Sequence, residues 1–255
     1  MNNGISFGEK FIQLSIYCKG NSLKKLSSYE AVFFDVGGVL LKPHPSVGHV
    51  YAKYARPYGF KGHAEDLDIE FRKQWDAMGG IESLGSKSGQ SAERQFWRQM
   101  VKNVFDPHGG LENFDRYFAT VFDAFKKKEC WSIFDDVMQS NILPELKSAG
   151  VTLGVISNWD SRLTATLQNV GLAQYFDFIL PSAVVGSAKP DAKIFQEALR
   201  LADVDPEDAC HIGDEIRTDV EGARKAGIDS ILIDRQDRFE EGYDQKVKSF
   251  LELRI

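Results

Sequence analysis

Four short stretches of the chain carry side chains able to do chemistry: Asp35 in F-F-D-V-G-G, Ser157 and Asn158 after V-I, Lys189 ahead of Pro190, and Asp214, Glu215 and Asp219 in G-D-E-I-R-T-D. A carboxylate such as Asp35 can act as a nucleophile toward phosphorus. Carboxylates such as Asp214 and Asp219 can hold a hard, oxygen-seeking cation such as Mg²⁺. A hydroxyl with a neighbouring backbone N–H can bind one phosphoryl oxygen, and an ammonium group can neutralise another while restraining the nucleophile. Phosphoryl transfer needs little beyond such positioning and charge neutralisation. Taken singly, each residue also has an ordinary explanation: Asp35 capping a turn, Ser157 and Asn158 satisfying loop backbone, Lys189 as a solvated surface charge, Asp214 and Asp219 complementing a helix dipole. Their joint occurrence at successive strand ends is what sets them apart.

The elements that must position them follow from hydrophobic pattern. Residues 31–36, A-V-F-F-D-V, form a short apolar run that meets Gly37-Gly38, which predicts a buried strand entering a tight turn. From Pro45 to Trp131 no comparable run occurs. Aromatic and aliphatic residues recur there at helical spacing, among them Phe71, Trp75 and Met78, then Phe96, Trp97 and Met100, then Tyr117, Phe118, Val121, Phe122 and Phe125. The spacing predicts a helical bundle, with these rings as its core rather than as a stacking platform. Strand and helix then alternate. Strands are expected over 151–156, 176–180, 209–212 and 228–233. Helices are expected over 160–170, with Asp160 as N-cap and Gly171 as C-cap, over a segment with Pro190 in its first turn, and over 218–226. Such alternation implies an α/β fold, a Rossmann-like doubly wound parallel sheet, with the helical bundle inserted after the first strand. Ligands of these sheets bind beyond the carboxyl ends of the strands, where the four stretches lie.

Composition bounds the rest. At 255 residues, 43% hydrophobic and 27% charged, the chain has room for one large domain or two unequal ones, at roughly 100–200 residues each. The expected division is an N-terminal extension over 1–28, a core over 29–44 and 134–240, a cap over 45–133, and a C-terminal helix or tail over 241–255. With 31 basic against 37 acidic residues, a net charge of −6 and no long basic block, nucleic acid is excluded as a partner. No uncharged apolar run approaches the roughly 20 residues that span a bilayer, so no membrane partner is expected. Three well-separated cysteines, Cys18, Cys130 and Cys210, fit neither a disulfide framework nor a C-x-x-C site and imply a reducing, cytoplasmic setting. Residues 1–28 mix apolar residues with lysine, asparagine, serine and glycine. They read as a disordered or loosely packed extension ahead of an organelle import signal, since they contain no arginine.

The strings D-V-G-G-V-L, V-I-S-N, A-K-P-D-A-K-I-F and H-I-G-D-E-I-R-T-D-V-E-G-A-R-K-A-G resemble the four motifs of the haloacid dehalogenase superfamily, over roughly residues 31–234, with a helical C1-type cap after the first. Within it, S-N-W-D-S-R-L and K-P-D-A-K-I-F-Q-E-A-L-R-L are similar to the branch related to a rhythmically expressed insect gene product. The resemblance implies Asp35 as a nucleophile that becomes an aspartyl phosphate and also ligates Mg²⁺. It implies the Gly37 backbone carbonyl and Asp214 as further metal ligands, with Asp219 binding the metal through water or ordering the loop. Ser157 and the Asn158 N–H would bind phosphate, and Lys189 would steady nucleophile and phosphate.

One departure matters. Family phosphatases carry a second Asp two residues after the nucleophile, to protonate the leaving oxygen and activate water; here that position is Gly37. General acid–base catalysis is commonly worth about 10²–10⁴-fold, so ordinary alkyl phosphates would turn over slowly. His44 is a stand-in acid to be weighed against an exposed loop histidine. The expected activity is a Mg²⁺-dependent phosphatase acting on a small phosphorylated metabolite, as monomer or homodimer. The alternatives are a catalytically weak phosphate-binding or scaffold protein and, third, a 2-haloacid dehalogenase, which needs no metal and so no acidic pair at the fourth motif.

Overall fold

The computed structural model describes residues 23–87, 89–239 and 245–255. Its strands are β1 (Ala31–Phe34), β2 (Leu41–Pro43), β3 (Trp131–Ile133), β4 (Thr152–Ser157), β5 (Phe178–Pro181), β6 (Ala209–Gly213), β7 (Asp229–Ile233) and β8 (Lys246–Val247). Six of them form one sheet in the order β5-β4-β1-β6-β7-β8, with every pair parallel. From β1 the chain winds outward through β4 to β5. It then returns to β6 on the other side of β1, and this reversal opens a crevice at the β1 end.

β1 is apolar throughout because both of its faces are covered. Val32 and Phe34 pack with Ile142, Leu146, Leu163 and Leu167 on one side, while Ala31 and Phe33 pack with Ile194, Phe195 and Ala198 on the other. The cap consists of α1 (Val47–Ala55), α2 (Ala64–Met78), α3 (Gln90–Phe105) and α4 (Phe114–Ala124), with its own core of Tyr51, Leu67, Met100, Phe105 and Tyr117. Antiparallel pairing of β2 with β3 carries the chain out to the cap and back.

Several sequence expectations need correction. The helix expected from residue 160 starts at Leu163. Asp160 does not cap it; the buried carboxylate is held by Arg162, Nε to Oδ1 at 2.9 Å, because a fully buried charge requires a countercharge. Asp191, not Pro190, opens the helix Ala192–Ala202, its side chain accepting from Lys193 N. The helix expected over 218–226 is a wide π-helical turn, Ile216–Val220, followed by Glu221–Lys225. The expected C-terminal helix or tail is instead the edge strand β8 and a short turn, Phe250–Glu252, that buries Phe250 in the main core. Of the N-terminal extension, residues 1–22 lie outside the described residues. The part that is described is packed: Leu26 is buried, and its N–H donates to Arg254 O at 2.8 Å.

Gly154 in β4 marks a tight spot. A Cβ there would collide with the Phe178 ring and stand 3.0 Å from Phe33 Cδ1. Overpacking of this kind costs about 1–3 kcal/mol. Gly154→Ala should therefore lower the urea midpoint without altering the slope of the transition, as followed by circular dichroism.

Candidate active site

Asp35 stands immediately after β1, its N–H donating to Ile212 O of the neighbouring strand. Ser157 ends β4, Asn158 follows it, and Asp214 follows β6. Lys189 is not a surface charge: it is 2% exposed, and its Nζ donates to Asp35 Oδ1 at 2.8 Å and to Asp219 Oδ1 at 2.6 Å. Asp219 also meets His211 Nε2 at 2.9 Å and accepts the Glu215 N–H at 3.0 Å, so it ties β6, the π-helical turn and Lys189 together. Asn158 holds the Lys189 backbone from both sides. Its Oδ1 accepts the Lys189 N–H at 2.8 Å, and its Nδ2 donates to the Lys189 carbonyl at 2.9 Å. Gly38 turns the chain at φ +76°, and a Cβ there would collide with the Asp214 carboxylate.

Asp35, Asp214 and Asp219 can place one oxygen each within 4.8 Å of one another. Their electrostatics divide sharply. Burial opposes ionisation of Asp219, but the Lys189 ammonium and the His211 hydrogen bond hold its carboxyl well below the usual range. Burial pushes Asp35 up, and the Asp219 charge adds to this against the pull of Lys189. Burial, then the charges of Asp35, Asp219 and Glu215, push Asp214 up to about 8. Burial keeps His211 neutral by lowering its value. Asp35 and Asp219 thus share the one buried ammonium, while Asp214 has only the partly exposed Arg238 beside it. The donor set, all hard oxygen with surplus negative charge, fits a divalent cation such as Mg²⁺.

The cap covers this end of the sheet. Asn158 Nδ2 also donates to Glu82 Oε2 at 2.7 Å, and Ser161 N–H to the buried Glu93 at 2.9 Å. Between cap and core lies a cleft of about 800 Å³ that reaches Asp35, Ser157, Lys189 and Asp214. The sequence placed the cap aromatics in the bundle core, and Phe96 and Tyr117 are there. Phe118 is in that core as well, and Trp75, Trp97, Phe122 and Phe125 pack against it; all five also line the cleft. His44 is exposed and not on the cleft, so it is no stand-in acid. Sequence reasoning passed over His211, Glu82 and Arg238, the last donating to Asp214 Oδ2 at 3.2 Å and to Glu215 Oε1 at 2.8 Å. Only His211 had a signal to offer, as the polar member of a buried strand in H-I-G-D.

The family model described as haloacid dehalogenase-like hydrolase matches residues 29–227. The chain belongs to this family. Among curated proteins, it is 34% identical over 203 residues to human haloacid dehalogenase-like hydrolase domain-containing protein 3, covering 78% of this chain and 80% of that protein. It is 30% identical over 241 residues to the rhythmically expressed gene 2 protein of Drosophila melanogaster, with 89% and 90% covered. A phosphoserine phosphatase of Thermus thermophilus is 31% identical over 157 residues, 61% of this chain and 59% of that one. Among solved structures, a dehalogenase superposes with a TM-score of 0.67 at 25% identity, over 88% of this chain and 95% of that one. As a haloacid dehalogenase-like hydrolase, the chain has the sheet order that brings all four motifs to one edge. Among the described residues no helix is long and apolar enough to cross a membrane.

Asp214 gives the cluster a testable signature. An unfolded carboxyl loses its proton near about 4, whereas native Asp214 keeps its own until about 8. Between those values the native state binds more protons, so this residue's contribution makes stability fall as pH rises. In metal-free buffer the melting temperature should decline over this window more steeply than that of Asp214→Asn. Mg²⁺ should raise the wild-type melting temperature most at the alkaline end and raise that of the variant little, as read by calorimetry.

Proposed function

We propose that the chain is a Mg²⁺-dependent phosphatase that acts on a small phosphorylated metabolite through an aspartyl phosphate at Asp35. The observation that carries this reading is the buried Lys189 bridge between Asp35 and Asp219, with Asp214 beside it. Burying an ammonium is costly even when two carboxylates pair with it, and clusters of this kind gather at functional sites. Asp35 is the nucleophile. Lys189 holds it and would neutralise a phosphoryl oxygen, and the Ser157 hydroxyl and the Asn158 backbone N–H would bind others. Asp35, Asp214 and the Gly37 carbonyl would hold the Mg²⁺. Asp219, its oxygens engaged by Lys189, His211 and Glu215, orders the site. Bound Mg²⁺ would draw off charge from the transferring phosphoryl group and keep the carboxylates ionised. The similarity to a phosphoserine phosphatase supports phosphoryl chemistry in general and leaves the substrate's identity to the cap. The buried, free Cys130 and Cys210 suit a reducing, cytoplasmic setting.

Gly37 favours a second reading, a protein that binds phosphate without turning it over. Purified protein assayed with 4-nitrophenyl phosphate and acetyl phosphate, with and without Mg²⁺, separates the two. Hydrolysis should require Mg²⁺, and Asp35→Asn should lower it by at least about 10³-fold. An unchanged rate in Asp35→Asn would remove Asp35 as nucleophile. Binding of orthovanadate without turnover of either ester would favour the second reading.

A further inference from the structure

Two features of the cleft converge. First, the position where a general acid would stand is glycine, and what faces it is an indole: a Cβ at Gly37 would lie 3.6 Å from Trp159 Cζ3. Trp159 stacks obliquely on Trp131, ring centroids 4.9 Å apart. The leaving-group side of Asp35 is therefore walled by aromatic carbon where an acid would otherwise stand. Second, the cap's contribution to the cleft lining is aromatic too and is held in place. Trp75 and Trp97 lie 5.9 Å apart, and the Arg162 guanidinium sits 3.9 Å from the Phe122 ring centre and 5.2 Å from that of Trp97. Arg162 is itself pinned by Asp160 and by the Phe122 carbonyl, so these rings form a preset surface. The Trp97 Nε1–H is buried and has no hydrogen-bond partner among the described residues.

From these two features we infer that the cleft takes aryl phosphates, esters of a phenolic oxygen whose ring packs between Trp159 and the cap indoles. The inference rests on the phosphatase reading and names its substrate class. A flat apolar leaving group fits walls of indole and phenyl through ring–ring contact. It also removes the need for the missing acid. A phenolic O–H ionises near about 10, against about 16 for the O–H of water, to which alcohols are close. In the first step an Asp35 oxygen attacks phosphorus and the P–O(aryl) bond breaks. The electron pair stays on the phenolic oxygen, which leaves unprotonated and takes its proton from solvent afterwards. In the second step water attacks phosphorus and the bond to Asp35 breaks. The carboxylate is restored, and inorganic phosphate departs while the water's proton passes to solvent.

Three substrates of the wild-type protein separate ring, leaving group and chemistry: phenyl phosphate, benzyl phosphate and acetyl phosphate, each with Mg²⁺. Benzyl phosphate keeps the ring but leaves as an alcohol. Acetyl phosphate is a good leaving group without a ring. The expected result is kcat/KM for phenyl phosphate at least about 100-fold above benzyl phosphate, the span of a missing general acid. Phenyl phosphate should also have a lower KM than acetyl phosphate. Trp97→Ala should raise KM for phenyl phosphate about tenfold more than for acetyl phosphate, with Trp97→Phe intermediate should the alanine variant melt early. Equal rates for phenyl and benzyl phosphate, or a Trp97→Ala effect equal on both good leaving groups, would overturn the inference. If acetyl phosphate turns over in an Asp35-dependent way while phenyl phosphate is not preferred, the substrate class alone is wrong. If none of the three phosphorylates Asp35, the phosphatase reading falls with it.

Discussion

One buried ammonium organises the molecule. Lys189 comes from a loop after β5, yet its Nζ lies between the carboxylates of Asp35 and Asp219, which stand beyond β1 and within the turn after β6. An isolated charge in that position would cost several kcal/mol, so the strand ends must be held where both carboxylates reach it. The hydrogen bonds around it do this. His211 and the Glu215 N–H fix Asp219, and Asn158 grips the backbone of Lys189 at both its N–H and its carbonyl. Breaking any one contact would leave a buried polar group unpaired. The sheet order matters for the same reason. With β1 between β4 and β6, residues far apart in the chain arrive within a hydrogen bond of one another.

The cap is coupled to that centre through the same side chain. Asn158 spends one N–H on Glu82 of the cap and one on the Lys189 carbonyl, so displacement of the cap loop is felt at the lysine. Burial pushes Glu82 up, against the pull of Arg217 and the Asn158 hydrogen bond. Glu93 adds a second latch at Ser161, and Arg162 a third at the Phe122 carbonyl. These contacts hold the aromatic side of the cap against the strand ends.

Much of this was legible in the sequence, for a physical reason. A strand covered on both faces must be apolar, so β1, β4, β6 and β7 stand out as runs, and each ends in a polar residue that cannot continue the core. Asp35, Ser157 and Asp214 are found that way. What was not legible depends on partners distant in sequence. Lys189 stands out in the sequence only by its place among the four motifs, and its burial between two carboxylates shows only in the packed structure. Asp160 has the composition of an N-cap, and only the packed structure reveals that Arg162 claims it. Trp97 and Phe96 are neighbours at helical spacing; one turns to the cap core and the other to the cleft, and hydrophobicity alone cannot say which. β8 is too short to announce itself, since its burial comes from β7 and not from its own pattern.

The fold does not choose between the two chemistries named among the proteins it resembles, because one sheet edge with one aspartate can serve displacement at carbon or at phosphorus. Charge does choose. Displacement of a halide from carbon does not call for a divalent cation, whereas three clustered carboxylates are a donor set suited to one. In this site the added carboxylates raise the cost of ionising Asp214, pushing it up to about 8 through burial and the neighbouring charges of Asp35, Asp219 and Glu215. Such an arrangement is only partly offset by Lys189 and Arg238 and would be relieved by a divalent cation. A phosphoryl group, which carries its own negative charge into the site, cannot approach Asp35 without that neutralisation. On the proposed reading, the surplus of acid that burdens the free protein is the same feature that would serve phosphoryl transfer.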